Sequence, residues 1–238
     1  MSLIASIQKK SKMETAIKQI AQARKDETGN ADQLYKHIYQ TFADVVSDEP
    51  MRAQALYNWG AALLYQAKTK AGDAAVALYQ DAIHKFEFCQ LLNPQYLAAA
   101  IDSGVAYMDM ARIKNAAPDD DVYRQAQKQF ERGNAIQAGT ASYNLACIYA
   151  LRGDNEACQK ALQNSKDKVC LPDVNDIIND PDMANVKDQE WFLAFIEEIS
   201  KEPEPEEPIE TLEMIAAKAK AKAKAEQKER DNKYYNYK

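Results

Sequence analysis

Apolar residues recur along most of this chain at the spacing of one face of a helix. In "DAIHKFEFCQLLNP", residues 81–94, Ala82, Phe86 and Cys89 fall on one side, and the pattern stops at Asn93-Pro94. Tyr79 and Phe86 are two helical turns apart, with Ala82 and Ile83 between them on the same face, so the segment predicts a helix with a single apolar stripe. Pro94 ends it, because proline lacks an N–H and pushes its predecessor, Asn93, out of the α region. A second helix can then begin.

The same pattern returns when the chain is shifted by 44 residues. Tyr35 falls on Tyr79 and then Tyr123, Phe42 on Phe86 and then Phe130, Pro50 on Pro94, Gly60 on Gly104, and Ala82 on Ala126. A fixed period of this size is the signature of a stacked repeat architecture. Gly60 lies inside the apolar run "ALYNWGAALLY", where glycine costs about 1 kcal/mol against alanine. Its expected use is steric, letting another helix approach, and Ala82 is the expected residue opposite.

These residues resemble the tetratricopeptide repeat family, whose unit is a pair of antiparallel helices. Trp59, Gly60, Ala82, Phe86, Cys89 and Pro94 match its pattern in one unit, and Gly104, Tyr107, Ala126, Phe130 and Gly133 match in the next. "YNLACIYALRGDNEACQKAL" supplies a third match through Tyr143, Leu145, Ala146, Tyr149, Gly153, Asp154 and Cys158. The resemblance implies an all-α fold, a right-handed superhelix of stacked helix pairs. The usual unit has about 34 residues. From Gly60 to Ala82 and from Gly104 to Ala126 the gap is 22 where the third match, Ala146 to Cys158, keeps 12, so longer helices are expected in the first two.

The expected organisation is an N-terminal segment at 1–11 and a repeat domain at 12–199, divided near 12–50, 51–94, 95–138 and 140–165. A capping segment at 171–199 follows, in which Met183, Val186, Trp191, Phe192, Phe195 and Ile196 would cover the end of the stack. That segment resembles the closing segment of many bacterial proteins of the family. Residues 200–210 read as an acidic, Pro-rich linker, and residues 211–238 as an Ala/Lys-rich basic tail whose lysines step around a helix without forming one face.

Composition agrees with a helical globular protein. Of 238 residues, 46% are hydrophobic and only 7 are glycine and 8 proline. The net charge of −6 disfavours a nucleic-acid-binding domain. The start of the chain lacks an apolar core of signal-peptide length, and no run of about 18 apolar residues appears, so a cytoplasmic protein without a transmembrane segment is the expectation. Cys89, Cys147, Cys158 and Cys170 are expected as reduced thiols, with Cys89 and Cys147 at small apolar positions of the repeat.

Catalytic chemistry has little to work with. The chain holds two histidines, His37 and His84, and lacks the metalloprotease, phosphate-loop, dinucleotide and nucleophile-elbow patterns. The adjacent acids Asp119, Asp120 and Asp121 lack the alternating spacing of a calcium loop and fit a helix start instead. No catalytic residue, metal or cofactor is expected, and the protein is read as a non-enzyme.

The resemblance implies that first helices of successive repeats line a groove for a protein or peptide partner. Carried over by position, that surface holds Tyr57, Ala61, Leu64 and Tyr65 from one unit, Ile101, Val105, Met108 and Asp109 from the next, and Tyr143, Cys147 and Ala150 from the last. It is apolar and aromatic, so the expected function is a scaffold or adaptor that grips an apolar or amphipathic segment. Alternatively, those residues are simply core. A second alternative makes the protein a tether to nucleic acid or an anionic surface through the basic tail. The long repeats also resemble the plant mitochondrial import receptor, which reads amphipathic presequences. That receptor carries a C-terminal anchor, so the likeness is taken for the groove and not for the location.

Overall fold

The computed structural model describes residues 3–26 and 29–201. Among them the chain forms α1 (Leu3–Ala23), α2 (Ala31–Val46), α3 (Arg52–Ala67), α4 (Gly72–Leu92), α5 (Leu97–Ile113), α6 (Asp121–Ile136), α7 (Ser142–Arg152), α8 (Asn155–Asp167), α9 (Val174–Asn179) and α10 (Glu190–Ser200). Short 3₁₀ turns occupy Glu49–Met51 and Pro181–Met183, and no strand occurs among the described residues. The fold is all-α, and each helix from α1 to α7 packs against the next in sequence. Residues 1–194 form one compact unit and residues 195–238 a second, of which the end of α10 and Lys201 are described. The acidic linker and basic tail expected from the sequence lie outside the described residues, apart from Ser200 and Lys201.

The 44-residue recurrence places its residues in the core. Tyr35, Tyr79 and Tyr123 are buried on α2, α4 and α6, and Phe42, Phe86 and Phe130 are completely so. Removing each ring from water contributes about 1.5–3 kcal/mol, which gives these helices their orientation against the first helices of the pairs. Gly60 on α3 and Gly104 on α5 admit those rings. A Cβ on Gly60 would stand 2.6 Å from Cε1 of Phe86, and one on Gly104 would stand 2.5 Å from Cε1 of Phe130. The atoms nearest to Gly60 are therefore those of the Phe86 ring, which the sequence analysis did not name beside Ala82. Ala82 is buried on the same stripe one turn earlier.

Helix ends follow the local chemistry. α4 stops at Leu92, and Asn93 is extended at φ −137°, ψ 92°, as the following Pro94 requires. Gly153 closes α7 in the left-handed conformation at φ 71°, and the Asp154 side chain then accepts from the Ala157 amide to start α8. After α8 the pattern becomes irregular. α9 and the Pro181–Met183 turn bury Ile177, Met183 and Val186, and the turn packs on α7.

Candidate functional site

The residues carried over from the repeat pattern lie on α3, α5 and α7, the first helices of three successive pairs. On α3, Tyr57 and Tyr65 are half-buried while Ala61 and Leu64 are buried; on α5, Ile101, Val105 and Asp109 are half-buried and Met108 is buried; on α7, Tyr143 is half-buried while Cys147 and Ala150 are buried. Helical spacing groups these residues by face. Tyr57 and Ala61, Ile101 and Val105, and Tyr143 and Cys147 are each one turn apart, so each pair lies on one face of its helix.

Tyrosine–carboxylate hydrogen bonds tie these helices to their neighbours. The Tyr57 hydroxyl on α3 donates to Asp102 Oδ2 on α5 at 3.1 Å, and its ring packs on Tyr96 with centroids 5.0 Å apart. Tyr143 on α7 donates to Asp180 Oδ2 at 2.8 Å. Tyr79 on α4 donates to Asp109 at 3.4 Å, and Tyr107 on α5 to Glu87 on α4 at 3.2 Å. Burial, with the acceptor's negative charge, raises the Tyr107 hydroxyl to about 12 and drives those of Tyr57, Tyr79 and Tyr143 further up. All four therefore remain donors at any physiological pH. Neither Asp102 nor these ties were among the site residues expected from sequence. The clue was Asp102 itself, the charged residue within the first twelve residues of α5, 97–108.

The α7 part of the face is occupied by the chain itself. Asp180 and Asp182, on and beside the Pro181–Met183 turn, face it: Tyr143 bonds Asp180, and Cys147 Sγ stands 3.8 Å from the same carboxylate. Asn185 donates to the carbonyls of Ala150 and Leu151 at 3.1 and 3.2 Å. Arg112 of α5 ties this segment down, donating through Nη2 to Asp182 Oδ2 and reaching Asp109 at 2.6 Å. Tyr143, Cys147 and Ala150 are thus covered by residues 180–185, which leaves α3 and α5 as the part of the expected face that this segment does not cover.

The Cys147 sulfur and the carboxylates of Asp180 and Asp182 lie within 4.8 Å of one another. Their arrangement is that of a structural knot: Arg112 already supplies the cation to Asp182, and burial holds the Cys147 thiol well above its ordinary value. The other thiols are also free. Burial raises Cys89 to about 11 and Cys158 to about 12, so neither is a thiolate at neutral pH. His37 and His84 are exposed on α2 and α4.

On α5, Asp102 and Asp109 differ in their partners. Asp109 has Lys68 at 3.6 Å and Arg112 at 2.6 Å. Asp102 forms no ion pair within 4 Å among the described residues, and burial holds its carboxyl above the ordinary carboxylate value despite the Tyr57 hydrogen bond and the field of Lys68.

Residues 30–167, more than half of the chain and the span from α2 to α8, match the family described as plant specific mitochondrial import receptor subunit TOM20. The chain belongs to that family. No curated protein matches it. The TOM20 family is a TPR-like helical one, so the repeat reading holds at that level, and its receptor role is a protein-binding, non-enzymatic one. Two expectations are corrected by the match. The cytoplasmic location is overturned, since the family is by description a mitochondrial import receptor; the absence of a signal-peptide core or spanning run carried no address. The bacterial character of the closing segment has no support either, because the matching family is plant specific and the match ends before that segment. Among the described residues no helix is long and apolar enough to cross a membrane.

Proposed function

We propose that this protein is a subunit of a mitochondrial import receptor that recognises amphipathic segments of preproteins along α3 and α5. The family match carries the reading, and it favours the import-receptor alternative over a general scaffold. The surface fits the role chemically. Tyr57, Tyr65, Ile101 and Val105 are half-buried, so each already has a packed base and still presents apolar area that a helix of i, i+3, i+4 spacing can cover. Ala61, one turn from Tyr57, keeps the surface between them shallow enough for a backbone to approach. Leu64 and Met108, buried on the same two helices, act as the packing beneath the face.

The closing segment belongs to this account as the end of the stack. It supplies α7 with the carboxylate partner that α5 supplies to α3, so that α7 does not present a bare apolar face to water.

The test is binding of a fluorescent amphipathic targeting peptide to the full chain, to a chain truncated after Ser200, and to an Ile101→Gln, Val105→Gln double variant. The reading expects the truncated chain to bind like the full one and the double variant to lose roughly tenfold or more in affinity, since two apolar contacts are replaced. Binding that survives the double substitution and disappears with residues 201–238 would overturn it in favour of the tail.

A further inference from the structure

The α3–α5 face carries two carboxylates that a purely apolar groove does not need, Asp102 and Asp109, and among the described residues only Asp109 has an ion-pair partner within 4 Å. Asp102 follows Ile101 on α5 and lies one turn before Val105, on the side that meets Tyr57 of α3; it is half-buried and, among the described residues, accepts one hydrogen bond, from Tyr57. A carboxylate taken partly out of water costs free energy unless a cation or several donors compensate it. The other carboxylates on this face and on the segment over α7 have such compensation. Asp109 has Lys68 and Arg112, Asp182 has Arg112, and Asp180 accepts both the Tyr143 hydroxyl and the Asp182 amide. Lys68, the cation whose field reaches Asp102, is engaged with Asp109 at 3.6 Å.

From this geometry we propose that Asp102 is a specificity-determining residue that reads charge: it is the counter-ion for a lysine or arginine of an amphipathic helix whose apolar side lies on Tyr57, Ala61, Ile101 and Val105. The inference rests on the reading that α3 and α5 bind amphipathic segments, and adds that the segment is basic and that one residue selects it. Tyr57 has the positioning role. Its hydroxyl holds the carboxylate at the edge of the apolar surface, where a bound helix would shield the new ion pair from water and strengthen it. A neutral amphipathic helix would instead bury Asp102 further with no compensation, so the carboxylate also acts against the wrong partner.

The experiment measures affinities of the full chain for two peptides: an amphipathic helix with arginines on its polar face, and its twin with glutamine at those positions. The wild-type chain is expected to prefer the basic peptide by roughly five- to tenfold at low salt, the range of a partly shielded ion pair. Asp102→Asn, which keeps the shape and an acceptor for Tyr57, is expected to bring the ratio close to one through weaker binding of the basic peptide. Asp121→Asn, a change of the same charge at an exposed site on α6, is expected to leave the ratio as it was. Equal binding of both peptides by the wild type, an unchanged ratio in Asp102→Asn, or the same loss in Asp121→Asn would each overturn the proposal while leaving the groove reading intact. A chain that binds neither peptide contradicts both.

Discussion

The Phe86 ring occupies the space that any side chain on Gly60 would need, its Cε1 lying 2.6 Å from where the Cβ would stand. The same relation holds one repeat later between Phe130 and Gly104, at 2.5 Å. Both rings are completely buried, so neither can swing into solvent to make room. Gly60→Ala gains about 1 kcal/mol of helix propensity and loses more to overpacking, for which 1–3 kcal/mol is typical. A net loss of up to about 2 kcal/mol in urea unfolding is expected. The double variant Gly60→Ala, Phe86→Leu is expected to lose less than the sum of the two single changes, because the smaller side chain removes the clash. Strict additivity would mean that the two positions are not in contact.

Asp102 gives a prediction whose sign is set by its environment. Burial raises its carboxyl above the ordinary 3.8, so the folded state holds the proton more tightly than the unfolded one. Stability is therefore lost as pH rises from the unfolded value through the raised folded one, and the cost stays constant above it. Tyr57 and Lys68 face the group, and the tyrosine remains protonated across this range. Asp102→Asn is expected to unfold at higher urea than wild type at pH 7, with the difference shrinking as pH falls towards 3.8. A variant less stable than wild type at pH 7 would show that the ionised carboxylate is compensated after all.

Arg112 and Asp182 join α5 to the closing segment. Asp182 is nearly buried and Arg112 is partly exposed, so the pair is worth less than a fully buried one. Asp182→Ala is expected to cost about 1–3 kcal/mol, since it leaves Arg112 with fewer partners and uncovers the Cys147 side of α7. Hydrogen exchange should rise in α9 and around Met183 before it rises in α3 or α4. Uniform acceleration across the helices would mean that the closing segment does not open on its own.

Much of this fold is legible from spacing. The stripes of α2, α4 and α6 repeat Tyr, Ala or another apolar residue, and Phe on one face, and glycine near the middle of α3 marks a close approach because nothing else justifies it there. What spacing does not encode is which polar groups meet. Tyr57 and Asp102 are 45 positions apart, Tyr143 and Asp180 are 37, and Arg112 and Asp182 are 70. Their pairing depends on how helices cross. For the same reason the closing segment could be expected as a cap without its place being visible. α9 has 6 residues and the following turn has 3, too short for a periodic stripe, and hydrogen bonds from Tyr143, Arg112 and Asn185 fix them instead. Hence α7, which reads as groove by position, is covered by the chain.

The central claim is that targeting peptides bind on α3 and α5, and mapping backbone and methyl chemical shifts while the full chain is titrated with an amphipathic basic peptide tests it most directly. The account predicts saturable shifts centred on Tyr57, Ala61, Ile101, Asp102 and Val105, with smaller changes at Tyr65, and little movement at Tyr143, Cys147 and Ala150, which residues 180–185 already cover. Shifts confined to α4, α6 and α8, or to residues beyond Lys201, would contradict it.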